Sequence, residues 1–233
     1  MKPIVLLIPG MLNTAAVWDR VVPLLQGAAE LRIADVQTQT SIADMARDAW
    51  NLLADVAPTT PVIVCGFSMG GYVAIEMVAR PLRTIAGLVL VDTSARPESP
   101  EGEVARAKTI AAFERNYAKV VEAMLPFTTH PDHHQDTELF DTLRAIMLPV
   151  GGETAVRQTR AVAGRTDHRA SLAALTLPTR VLCGREDKVT PPVLSEELAE
   201  LIPNAKLEWL MQSGHMAPVE QPDKVADAIR SLL

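Results

Sequence analysis

One serine in this chain stands where a hydroxyl could be held clear of the backbone and made to attack. The segment Gly66-Phe67-Ser68-Met69-Gly70-Gly71 directly follows an apolar run at 62–65 and directly precedes a helical pattern at 70–79. In that strand–turn–helix context G-x-S-x-G reads as a nucleophile elbow. The reason is space. A strand that turns abruptly into a helix strains the corner residue and projects its side chain outward, and glycines two residues either side carry no Cβ to collide. The first helical amide, that of Met69, is free to face a developing oxyanion. A Gly-rich turn without chemistry is the alternative for this segment alone.

A serine hydroxyl needs a base and an acid to orient that base. His215, in Ser213-Gly214-His215-Met216, follows the last expected strand, and Asp187, in Gly184-Arg185-Glu186-Asp187, follows the strand before it. The order Ser, Asp, His suits a triad at the carboxyl ends of a doubly wound sheet. Asp92 also follows a strand and could orient the histidine instead, whereas Glu186 should point away from Asp187. Of the five histidines only His215 lies in a strand-to-helix loop of the sheet. The run His130-Pro131-Asp132-His133-His134 offers imidazole and carboxylate ligands but no helical i, i+4 spacing, so it reads as a solvated loop, with a metal site as the alternative. A second oxyanion donor is expected from Ile8-Pro9-Gly10-Met11. Met11 would supply the amide, and Gly10 would let the backbone approach the substrate. Nothing matches G-x-G-x-x-G, G-x-x-x-x-G-K-[ST] or H-E-x-x-H, so neither cofactor nor metal is expected.

These side chains must be positioned by alternating elements. Nearly continuous apolar runs at 4–8, 31–34, 62–65, 88–91, 180–183 and 206–210 suit strands covered on both faces. Helical patterns at 15–25, 41–56, 70–79, 193–201 and 221–233 separate or follow them, which implies an α/β fold with a doubly wound, mostly parallel sheet of six strands. Ser41 with Asp44 resembles a capping box, and Pro191-Pro192 suits a helix start. Between 95 and 175 the patterns are helical only (101–117, 136–147, 153–163), too long for a simple connection. Residues 1–95 and 176–233 therefore read as a core domain and 96–175 as a helical lid. Most apolar residues of that lid should form its own core. Met124, Phe127, Phe140 and Met147, together with Gly10 and Met216, are the candidates to line a substrate site.

Composition narrows the partners. The 233 residues carry 22 Lys+Arg against 28 Asp+Glu, a net charge of −6, and only 4% are aromatic. That balance lacks the electrostatic and stacking surface of a nucleic-acid binder. No run of eighteen apolar residues could span a membrane. Met1-Lys2 before an apolar stretch invites a targeting reading, but Pro9-Gly10 interrupts it and a buried strand is the simpler account. Cys65 and Cys183 fall two strands apart, beyond disulfide reach, as core residues. The expectation is a soluble, cytoplasmic protein, monomer or homodimer, acting on a small molecule.

With these residues in hand, the chain resembles the α/β-hydrolase superfamily over essentially its full length. The matching segments are Pro9-Gly10-Met11 with Trp18, Gly66 to Gly71, Leu88-Val89-Leu90-Val91-Asp92, Gly184 to Pro191, Gly214-His215 and Glu220-Gln221-Pro222. Within the superfamily it looks most like small bacterial carboxylesterases, enol-lactonases and carbon–carbon-bond hydrolases. The resemblance implies a serine hydrolase that cleaves an ester or related acyl bond through Ser68, His215 and Asp187. Lactonase, C–C-hydrolase or lyase chemistry on an acidic metabolite stays open, with Arg96, Arg165 and Arg169 as candidate carboxylate clamps, as does a binding protein with a relic triad. Two departures stand out: Pro9 where many relatives have His, and a first strand at about Ile4 without the usual preceding hairpin.

Overall fold

The computed structural model describes residues 2–233; Met1 lies outside the described residues. Six strands, β1 (Ile4–Ile8), β2 (Glu30–Ile33), β3 (Val62–Phe67), β4 (Gly87–Val91), β5 (Thr179–Gly184) and β6 (Ala205–Leu210), form one sheet in the order β2-β1-β3-β4-β5-β6. Every neighbouring pair is parallel, so all six carboxyl ends meet at one edge. The continuous apolar runs have a simple cause. Side chains alternate along a strand, and both faces are covered: Val5, Leu7, Ile63, Cys65, Phe67, Val89 and Val91 enter one buried cluster, while Ile4, Leu6, Ile8, Val62, Val64, Leu88 and Leu90 enter the other. Both cysteines are buried and unbridged.

Around the sheet lie α1 (Val22–Leu25), α2 (Ile42–Asn51), α3 (Met69–Ala79), α4 (Pro100–Thr128), α5 (Thr137–Met147), α6 (Gly152–Ala163), α7 (Arg169–Ala173), α8 (Pro192–Leu201), α9 (Ala217–Glu220) and α10 (Pro222–Arg230). Ser41 caps α2 by accepting from Asp44 N at 3.0 Å, and Pro192 opens α8. Two expected helices differ. The pattern at 15–25 splits into a 3₁₀ turn, Ala15–Trp18, and the single turn of α1, because Pro23 cannot donate to a continuous helical ladder. The helix expected at 101–117 runs on to Thr128 through a kink at Asn116 (φ −164°, ψ 89°). Asn116 restarts it as a local cap, its Oδ1 accepting from Lys119 N at 3.0 Å.

The inserted helices α4 to α7 connect β4 to β5. They do not enclose a core of their own, contrary to expectation. Phe113, Val121, Leu125, Leu139, Leu143, Ile146 and Met147 belong to the same buried cluster as Val5, Leu7 and Phe67 of the sheet. Among the described residues no helix is long and apolar enough to cross a membrane.

Candidate active site

The shared carboxyl edge delivers four loops to one place: those after β1, β3, β5 and β6. Ser68 stands at the turn from β3 into α3 with φ 52° and ψ −117°, a conformation that L side chains rarely adopt. Its amide donates to Val91 O at 2.9 Å, and its carbonyl accepts from Thr93 Oγ1 at 2.8 Å. Glycine is obligatory on both sides. A Cβ at Gly66 would sit 2.2 Å from Gly70 O, and one at Gly70 would sit 2.1 Å from Ile8 O.

Ser68 Oγ lies 2.9 Å from His215 Nε2, and His215 Nδ1 lies 2.8 Å from Asp187 Oδ2. Asp187 is buried and accepts further from Val189 N at 2.7 Å, Thr190 N at 3.0 Å and Thr190 Oγ1 at 2.6 Å. Burial by itself pushes this carboxyl up, but the neighbouring His215 charge and these hydrogen bonds outweigh it and hold Asp187 below the ordinary carboxylate value. The other candidate acid, Asp92, makes no hydrogen bond to His215 among the described residues. Its oxygens accept from Gly184 N at 2.8 Å and Ala217 N at 3.4 Å. Full burial, reinforced by the charge of Asp187, pushes the Asp92 carboxyl well above the ordinary range.

Asp92, Cys183 and Asp187 bring possible metal-ligating atoms within 4.8 Å of one another. The carboxylates of this trio are already engaged, Asp92 by the amides of Gly184 and Ala217 and Asp187 by Thr190 and His215, so it is a poor match for a cation.

Met69 occupies the first helical position of α3, and the loop after β1 runs beside it. A Cβ on Gly10 would meet the Phe67 ring at 3.0 Å and Ser68 Cβ at 3.1 Å, which sets Gly10 close beside the serine. Among the described residues neither the Met11 nor the Met69 amide is spent on another hydrogen bond. Of the other candidates, Met147 and Met216 are buried in the cluster on this side of the sheet, and Met124 and Phe140 pack against it. Phe127 departs from them. It is 48% exposed in the last turn of α4 and belongs to neither buried cluster.

The three arginines considered as carboxylate clamps are all engaged by acids. Arg96 pairs with Glu197 at 2.5 Å, Arg165 with Glu98 at 3.1 Å and Arg169 with Asp167 at 2.7 Å. The segment 130–134, expected as a solvated loop, is exposed at Pro131 and Asp132, but it forms a 3₁₀ turn whose His130 and His133 are engaged. His130 N donates to Glu220 Oε1 at 2.7 Å, and His133 Nδ1 lies 2.8 Å from the same oxygen. Glu220 Oε2 accepts from Gly214 N at 2.9 Å, while His215 N donates to Thr128 O at 2.7 Å. A fully buried carboxylate demands such donors, and the inserted segment supplies them. Glu220 was visible in the sequence only as part of a matching segment; nothing there showed that it joins the His215 loop to residues ninety positions earlier.

A hydroxyl linked through imidazole to an ionised, buried carboxylate can lose its proton as it attacks an electrophilic carbon, and two free amides beside it can hold the resulting oxyanion. Comparison with known proteins bears on the family to which the chain belongs. The pimeloyl-(acyl-carrier protein) methyl ester esterase of Neisseria meningitidis serogroup A is 28% identical over 163 residues, covering 67% of this chain and 52% of the relative, so the chain spans about half that relative's length. The protein of the same name from Aromatoleum aromaticum is 25% identical over 248 aligned residues, covering 100% of this chain and 98% of its own. A solved thermophilic esterase from Thermogutta terrifontis, with malate bound, superposes with a TM-score of 0.88 at 28% identity, covering 99% of this chain and 89% of that one. The model of the alpha/beta hydrolase family matches residues 5–228. A family match through nearly the whole chain decides the question: the chain belongs to the alpha/beta hydrolase family.

Proposed function

We propose that this protein is a serine hydrolase that cleaves the carboxylic ester, or a related acyl bond, of a small and largely apolar substrate. The observation that carries the reading is the relay from Asp187 Oδ2 to His215 Nδ1 at 2.8 Å and from His215 Nε2 to Ser68 Oγ at 2.9 Å, on a serine at φ 52°. Ser68 Oγ attacks the carbonyl carbon while its proton passes to His215 Nε2. The carbonyl oxygen, now an oxyanion, accepts from the amides of Met11 and Met69. Collapse of the tetrahedral species breaks the acyl–oxygen bond, and His215 returns the proton to the departing alcohol. A water, deprotonated in turn by His215, attacks the acyl-enzyme and releases the acid. Asp187 stays ionised throughout, holding the imidazole tautomer and stabilising the imidazolium.

Two further facts support an uncharged substrate. The candidate clamp arginines are paired with acids, and Met147, Met216, Met124 and Phe140 belong to or pack on the apolar cluster that the inserted helices share with the sheet. The methyl ester named for two relatives is consistent with an ester bond. The test is turnover of p-nitrophenyl butyrate and labelling by a fluorophosphonate probe. Ser68→Ala is expected to abolish both while leaving the melting curve unchanged; undiminished turnover would overturn the assignment.

A further inference from the structure

The loop after β1 contains a peptide unit gripped at both poles. Leu12 is buried at φ +63°, a left-handed conformation that costs a residue with a Cβ on the order of 1 kcal/mol. The carbonyl of the Met11–Leu12 peptide accepts from Asn13 Nδ2 at 2.6 Å. Its N–H donates to Gln158 Oε1 at 2.9 Å, across 146 positions of sequence. Gln158 lies on α6 and is fully buried. Its Nε2 donates to Val36 O at 3.0 Å, so one side-chain amide ties α6 to the loops after β1 and β2. Asn13 keeps its grip although its Oδ1 is left buried without a partner. The next residue of α6 adds a contact, Thr159 Oγ1 to Met11 Sδ at 3.8 Å.

We propose that Gln158 and Asn13 are positioning residues that aim the Met11 N–H at the oxyanion, so that the hole is complete only while α6 is docked on the sheet edge. The inference rests on the acyl-transfer reading above. With the following peptide clamped, and Gly10 so close to Phe67 and Ser68 that a Cβ there would meet both, the Met11 amide lies between two held points. Without the Gln158 acceptor the Leu12 N–H is buried and unpaired, and the loop gains by leaving its strained conformation. The oxyanion donor then moves with it. A donor displaced by about 1 Å costs roughly 10- to 100-fold in rate.

Gln158→Met keeps the side-chain volume and removes the acceptor. Arg157→Leu is the control: among the described residues Arg157 bonds Gln37 O and Thr154 Oγ1, so its loss loosens α6 without touching the loop after β1. With p-nitrophenyl butyrate, Gln158→Met is expected to lose about 10- to 100-fold in kcat with KM held within about threefold, and Arg157→Leu to stay within about twofold. Affinity for an alkyl trifluoromethyl ketone, which forms a tetrahedral adduct on the serine, should fall in Gln158→Met by the same factor as kcat/KM. Asn13→Ala carries the same expectation should Gln158→Met fail to fold. Parental kcat in Gln158→Met, or equal losses in both α6 variants, overturns the inference and leaves the acyl-transfer reading intact if Ser68→Ala is inactive. A Ser68→Ala protein that still turns over the ester overturns both.

Discussion

Asp92 and Asp187 follow neighbouring strands and lie within one small cluster, yet their surroundings drive them in opposite directions. Asp187 has an imidazole, a hydroxyl and two amides to stabilise its charge, whereas among the described residues Asp92 has two amides and the repulsion of Asp187. Asp187→Asn, which loses the tautomer-holding acceptor, is expected to lower kcat by about 10³- to 10⁴-fold. Asp92→Asn, which keeps the shape of the side chain and removes its titration, is expected to retain activity within about fivefold, measured on the same ester. Their pH signatures differ in sign. A depressed pKa stabilises the fold above the ordinary carboxylate value, and that contribution is lost as pH falls through the folded pKa of Asp187. A raised pKa does the reverse: above 3.8 the unfolded Asp92 releases its proton while the folded one keeps it, so stability declines as pH rises. The melting temperature of Asp92→Asn should therefore gain on the parent between pH 4 and pH 7, and a constant difference would count against a raised Asp92 pKa. Ser68 and His215 were legible in the sequence because each sits in a short motif at a strand end. The choice between the two aspartates was not, since it depends on which carboxylate the folded loops turn toward the imidazole.

Among the elements, the β3–α3 elbow leaves little freedom. Gly70→Ala would drive a Cβ to 2.1 Å from Ile8 O, and because that atom is backbone the strand or the helix must move. The expected outcome is loss of ester turnover with a destabilisation of at least about 3 kcal/mol in urea unfolding; a folded, active variant would show that the elbow yields. Ser41→Ala, at the cap of α2, removes the bond to Asp44 N and should cost only about 1 kcal/mol, with turnover unchanged. All six strands were readable, since runs covered on both faces leave a continuous apolar signature. The length of α4 was not. A local cap at Asn116 restarts the helix after a break, and periodicity alone treats such a residue as an end.

At the scale of the whole molecule the inserted helices are a structural part of the hydrolase core rather than a detachable cover. Their apolar faces share one cluster with the sheet, Gln158 grips the loop after β1, and the segment at 128–133 supplies the partners of Glu220 and His215. Replacing residues 100–173 by a short linker is therefore expected to give a chain without a cooperative melting transition, read by circular dichroism; a sharp transition would show that the remainder has a sufficient core. The sequence by itself determined the alternation of strands and helices, the parallel sheet and the three residues whose side chains could cooperate, because these depend on periodicity and on motifs a few residues long. Only the tertiary structure decided which acid meets His215, that the arginines are consumed by ion pairs, and that Gln158 and Glu220 serve loops 146 and up to 90 positions away. Burial makes a polar group seek a partner wherever the folded chain provides one, and no local pattern records the distance along the sequence at which that partner is found.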